Sequence, residues 1–164
     1  MSFTFKLLVA ALLIGFAQQT YAQQSLKDQI VGAWAFESSN AKRIDGSPLW
    51  GEAPRGLFIL TPSGHFSWQV FRSDRPLFAS KNRLIATPDE LKVSNAGTLA
   101  YFGTYSIDEA EKTITFRTTA STFPNAEDEV IKRVITKLTS DELVYANPAT
   151  TLGQSINAVF KRAK

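Results

Sequence analysis

The chain has 164 residues, with 18 lysines and arginines against 15 aspartates and glutamates, a net charge of +3, one histidine and no cysteine. The missing cysteines exclude disulfides, a thiol nucleophile, a thiolate metal site and thiol redox chemistry. The charges are interspersed and form no basic run, which argues against nucleic acid as a partner.

The N-terminal segment, residues 1–22, has its own order. Lys6 precedes an apolar run from Leu7 to Ala17, polar Gln18 and Gln19 follow, and small Thr20 and Ala22 flank Tyr21. A charged start, an apolar middle and a small-residue end are the parts of a secretory signal peptide. The apolar run is well short of the roughly 20 residues a membrane-spanning helix needs. The expectation is a signal peptide over 1–22, then one domain over 23–164, exported to the periplasm or secreted, with no membrane span after cleavage. A domain of about 142 residues is long enough to bury a core. It must be held by that core alone, and it shows no repeat, low-complexity tract or interdomain linker.

A short helix is predicted at Leu26–Ile30. Period-two alternation then predicts strands. Ile30 to Ser38 sets Ile30, Gly32, Trp34 and Phe36 on one face. Gly56 to Thr61 is a compact apolar run, Pro62-Ser63-Gly64 a turn, and His65 to Arg72 a second alternating segment. Thr87-Pro88-Asp89-Glu90 starts a helix: Thr87 caps it, Pro88 suits its first position, and Glu90 reaches back to the cap. Asn95 and Gly97 mark its end. Tyr101–Ile107, Thr113–Thr119, Glu129–Leu138, Glu142–Tyr145 and Ile156–Lys161 complete eight strands. Asp108–Lys112 and Thr139–Asp141 are hairpin-length connections, so sequence neighbours pair antiparallel. The fold class is therefore mainly β: an eight-stranded antiparallel up-and-down barrel, which leaves no exposed edge and is wide enough for one small ligand.

Several motifs resemble a known family. Gly32-Ala33-Trp34 is similar to the Gly-x-Trp signature of the lipocalins. That resemblance implies a tryptophan closing the barrel's narrow end, with a basic residue of the last strand over its ring. Arg162, on the face of Phe160, is the candidate for that residue. The run from Gly56 to Ser80, Thr87 to Leu91, Ala100 to Asp108 and Ser121 to Asn125 resembles the bacterial and fungal lipocalin-like domain family. Arg72-x-x-Arg75-Pro76 and Tyr101-Phe102-Gly103-Thr104-Tyr105 are its most specific parts, and the likeness spans nearly all of residues 29–162. The chain departs at Phe116 and Arg117, where the family often has histidines. The resemblance implies the barrel fold and a generic ligand-binding role.

His65 has no nearby motif partner for metal binding or acid–base work, no serine sits in a Gly-x-Ser-x-Gly elbow, and no phosphate loop is present. No catalytic residue, metal ligand or cofactor is assigned. Alternation puts Phe66, Trp68, Val70 and Arg72 on one face, and Tyr101 and Tyr105 on one face of another strand. If those faces point inward, they line a pocket with polar handles. Arg72 then forks a ligand carboxylate, pairs internally with Asp74, or sits at a solvent-exposed barrel end. Arg133, between Ile131 and Ile135, raises the same question; Arg117 faces water among threonines; Trp50 can sit at a barrel mouth.

The reading is an exported barrel binding a small apolar or acidic ligand through Phe66, Trp68, Val70, Arg72, Tyr101, Tyr105 and Arg133, with Gly32, Trp34, Phe160 and Arg162 structural. The alternatives are an isomerase or cyclase using Tyr105, His65 and Arg72, and a protein-binding or inhibitory module acting through its loops. Export has a direct check. N-terminal sequencing of the protein from its native host should find Gln23 first; an intact Met1 on membrane-bound protein would rule out cleavage.

Overall fold

The computed structural model describes residues 24–148, 153 and 155–164. The expected signal peptide lies outside the described residues. Eight strands, β1 (Gly32–Ser39), β2 (Arg55–Leu60), β3 (His65–Phe71), β4 (Thr98–Asp108), β5 (Thr113–Ser121), β6 (Val130–Leu138), β7 (Glu142–Asn147) and β8 (Ile156–Arg162), close into a barrel. Each pairs antiparallel with its neighbour in sequence, and β1 pairs with β8. Helix α1 (Leu26–Ile30) precedes the barrel, and α2 (Pro88–Ala96) lies in the β3–β4 connection.

The capping signal of α2 is realised in full. Thr87 Oγ1 accepts from the Glu90 N–H, and the Glu90 carboxylate accepts from the Thr87 N–H at 2.8 Å. The helix ends at Ala96 with Gly97 as its C-cap, and β4 begins at once, three residues before the alternation announces it. At the other end of the β4 motif, the β4–β5 register shifts between Phe102 and Gly103. A Cβ on Gly103 would lie 2.0 Å from the Arg117 carbonyl oxygen, so the two backbones approach as only glycine permits.

Antiparallel alternation sorts the connections to two ends. Short turns at 61–64, 109–112 and 139–141 lie at one end with α1. The long connections 40–54, 72–97 and 122–129 lie at the other.

The short-turn end is closed. Trp34 is fully buried, and its indole N–H donates to the Ile30 carbonyl at 2.8 Å. The Arg162 guanidinium stacks 3.8 Å above the Trp34 ring centre. It donates to the carbonyls of Val31 (2.7 Å), Gln29 (2.8 Å) and Ser140 (2.9 Å). Gly32 makes room for it: φ is +129° and a Cβ would lie 2.8 Å from Arg162 Nη1. Above this seal the barrel is filled with rings. Phe58 packs on Phe160 and Phe116 (centroids 5.6 and 5.8 Å), and Phe116 on Phe66 (4.7 Å).

Losing a large buried aromatic costs about 3–5 kcal/mol, so Trp34→Ala should lower unfolding free energy by that amount in urea titration. Gly32→Ala should cost about 1–3 kcal/mol through backbone strain and the displaced guanidinium. A loss under about 1 kcal/mol for Trp34→Ala would show that the seal is not what holds the barrel.

Candidate functional site

The long-loop end is open. A cavity of about 460 Å³ enters the barrel there. Its floor is aromatic: Phe36, Trp68 and Tyr145 line it, with Phe36 and Trp68 ring centres 5.3 Å apart. Leu99, Ile131, Ile156 and Ala158 add apolar wall, and Leu49, Trp50 and Phe123 bring the loops to the rim. The volume falls in the range of small-molecule sites, and so does the mostly apolar lining with a few polar groups.

The polar groups gather around Arg133. Its alternation with Ile131 and Ile135 on β6 points it inward, where it keeps only 8% of its surface exposed. Nη1 donates to Asn147 Oδ1 at 2.9 Å and to the Lys132 carbonyl at 3.0 Å, and the guanidinium lies 6.0 Å from the centre of the Tyr145 ring. Among the described residues no carboxylate pairs with Arg133. Burial pushes the Tyr145 hydroxyl far up from its ordinary value, and the charge of Arg133 only partly offsets this. Tyr101 is raised for the same reason and against the same opposing charge.

Of the sequence candidates, Trp68, Tyr101 and Arg133 line this cavity. Four others do not, and each has a physical reason. Phe66 is packed against Phe116 in the filled half, below the cavity floor. Val70 is fully buried, and the wall at its level is formed by Trp68 and by Leu99, its cross-strand partner. Tyr105 sits at the closed end, where its hydroxyl donates to the Thr61 carbonyl at 2.7 Å. Arg72 lies beyond the end of β3 at Phe71, so the alternation stops before it; Nε donates to Asp74 Oδ1 at 2.8 Å. That bond leads the causes that hold the Asp74 carboxyl below the usual range. Tyr145 and Asn147 share a face of β7 with Leu143, and the alternation that placed Arg133 could have found them too. Glu129 at the rim carried no such signal.

A family model for the lipocalin-like domain matches residues 31–159. The chain belongs to the lipocalin-like domain family. A crystal structure of a lipocalin-like protein from Bacteroides uniformis ATCC 8492 is similar at 13% identity, covering 82% of this chain and 99% of that one, with a TM-score of 0.46. No curated protein matches the sequence. This lipocalin-like barrel puts Phe116 where the family often has a histidine and uses it to fill the closed half; Arg117 beside it is exposed. His65 is exposed at the closed end, near Ser63 Oγ at 3.2 Å. Among the described residues no cluster of three or more histidines, aspartates or glutamates is arranged to hold a metal ion, and no helix is long and apolar enough to cross a membrane.

The raised tyrosines give the lipocalin-like domain a pH signature. A phenol whose folded pKa is raised adds stability in full below its unfolded value near 10, and that stability is lost as pH climbs through the folded pKa. The phenolate absorbance of Tyr101 and Tyr145 should therefore appear only well above pH 10 in the folded protein, and Tyr145→Phe should remove the latest step. Half-ionisation of both near pH 10 would contradict the buried placement.

Proposed function

We propose that this is an exported lipocalin-like protein that carries a small amphipathic molecule in its open-ended cavity, with an acidic head group against Arg133. One observation carries the reading: a buried arginine faces an apolar cavity and has no carboxylate partner among the described residues. Burying a charge without a counter-charge is costly, and a ligand carboxylate would relieve that cost with bidentate geometry. The aromatic floor and aliphatic wall would supply most of the affinity, at about 25 cal/mol per Å² of apolar surface removed from water. Asn147 would hold the guanidinium, and Tyr101 and Tyr145 would offer neutral hydroxyls beside it.

The enzyme alternative drew on Tyr105, His65 and Arg72. Tyr105 and His65 lie at the closed end, with His65 on the outside, and Arg72 is paired with Asp74 at the open end. They do not converge on one cavity.

Arg133→Met keeps the volume and removes the charge, a change that buried sites often tolerate. Titration calorimetry with a medium-chain fatty acid and its methyl ester is the test. A hydrogen-bonded charge pair is worth about 1.5–3 kcal/mol, so the acid should bind roughly ten- to a hundredfold more weakly to the variant and the ester almost unchanged. Equal losses would remove the acidic head group from the reading. Failure of wild-type protein to bind either compound would remove the amphipathic ligand itself.

A further inference from the structure

The loops at the two ends of the barrel differ in one respect that the cavity does not explain. The closed-end turns and α1 carry no exposed large apolar side chain among the described residues. The open-end loops carry several: Ile44 (109% exposed), Leu77 (93%), Leu84 (82%), Ile85 (67%) and Phe123 (47%). None of the first four lines the cavity. Three of the five lie in the β3–β4 connection, and α2 in the same connection adds exposed Leu91 and Val93.

The β3–β4 connection carries five basic residues against three acidic ones, and residues 75–88, which hold Leu77, Leu84 and Ile85, contain Arg75, Lys81 and Arg83 and no acid. Lys81, Arg83 and Lys92 form no ion pair among the described residues. The acids of the connection, Asp74, Asp89 and Glu90, flank the stretch 75–88 on either side. Asp74 is paired with Arg72, and the Glu90 carboxylate accepts from the N–H groups of Ala79 (2.7 Å) and Thr87 (2.8 Å). The β5–β6 connection across the mouth is acidic, with Glu127, Asp128 and Glu129, and the β1–β2 connection is balanced, with Lys42 and Arg43 against Asp45 and Glu52.

We infer that the β3–β4 lip is a membrane-surface contact that docks the open end of the barrel on an anionic lipid bilayer. Side chains that project singly, with basic residues between them, suit insertion at a headgroup interface. A helical or strand-like protein partner would instead need a groove or a free edge, and a closed barrel offers no free edge here. Docking in this orientation would set the cavity mouth against the lipid, and it stands independently of what the cavity holds.

The absence of cysteine makes the test direct, since one introduced thiol is the only site of labelling. Leu84→Cys at the lip and Glu111→Cys at the closed end are each labelled in the full chain with nitrobenzoxadiazole. Phosphatidylcholine vesicles with and without phosphatidylglycerol are then titrated in. The Leu84 label should shift to the blue with phosphatidylglycerol vesicles, weakly with phosphatidylcholine alone, and less as salt is raised. The Glu111 label should not respond. Lys81→Glu/Arg83→Glu and Leu84→Glu/Ile85→Glu should each weaken vesicle binding roughly tenfold or more, with thermal stability unchanged because these side chains are exposed. No shift at Leu84 would overturn the inference. So would equal shifts at Leu84 and Glu111, which would mean adsorption through the N-terminal segment or without orientation.

Discussion

The Arg162 guanidinium lies between the Trp34 ring and three backbone carbonyls, and the rest of the barrel is arranged around that contact. It joins elements far apart in sequence, alongside the β1–β8 ladder: the segment leading from α1 into β1, the β6–β7 turn through Ser140, and the end of β8. Stacking on an indole contributes about 0.5–2 kcal/mol, and each hydrogen bond from a charged donor about 1.5–3 kcal/mol against its absence. Gly32 is the permissive residue. Its missing side chain and left-handed backbone are what let a cation sit flat on the tryptophan, so the glycine and the tryptophan of the motif form one device.

From that seal upward the interior changes character without any change in strand pattern. The lower half is closed by rings in tilted and edge-to-face contact, with Phe160 touching Phe58, Trp68 and Tyr145 at 5.1–5.6 Å between centres. The upper half is open because smaller residues, Ala41, Leu99, Ala158 and Ile131, line it where rings would otherwise meet. Arg133 stands at the boundary. The filled half gives it a rigid floor, and the open half gives it access to whatever enters.

The strands and the capped helix were legible because periodicity and capping act locally. Alternation along β3 and β6 correctly separates inward from outward residues. It does not say how deep in the barrel an inward residue lies, or whether rings from other strands already fill that level. Phe66, Val70 and Tyr105 therefore look like pocket residues in sequence and are packing residues in the fold. Arg72 failed for a different reason: one residue past the strand end, a carboxylate two positions away decides its direction. Arg133 and Arg72 had equal standing in sequence, and what separates them is the position of acidic partners in space. Trp50 could be placed at a mouth because its glycine- and proline-bearing loop had to cross one end of the barrel.

The order in which the barrel can close has its own consequence. Seven of its eight seams join strands adjacent in sequence, whereas the eighth joins β1 to β8. The hydrogen bond from Arg162 to Val31 spans 131 residues. Sequential hairpins can pair as soon as both strands exist, but this seam must wait for β8, and non-local closure is the slow part of β folding. Until then Trp34 has no cover, and no disulfide can hold the two ends near each other. The barrel therefore cannot acquire its native topology from a growing N-terminus before β8 has been made.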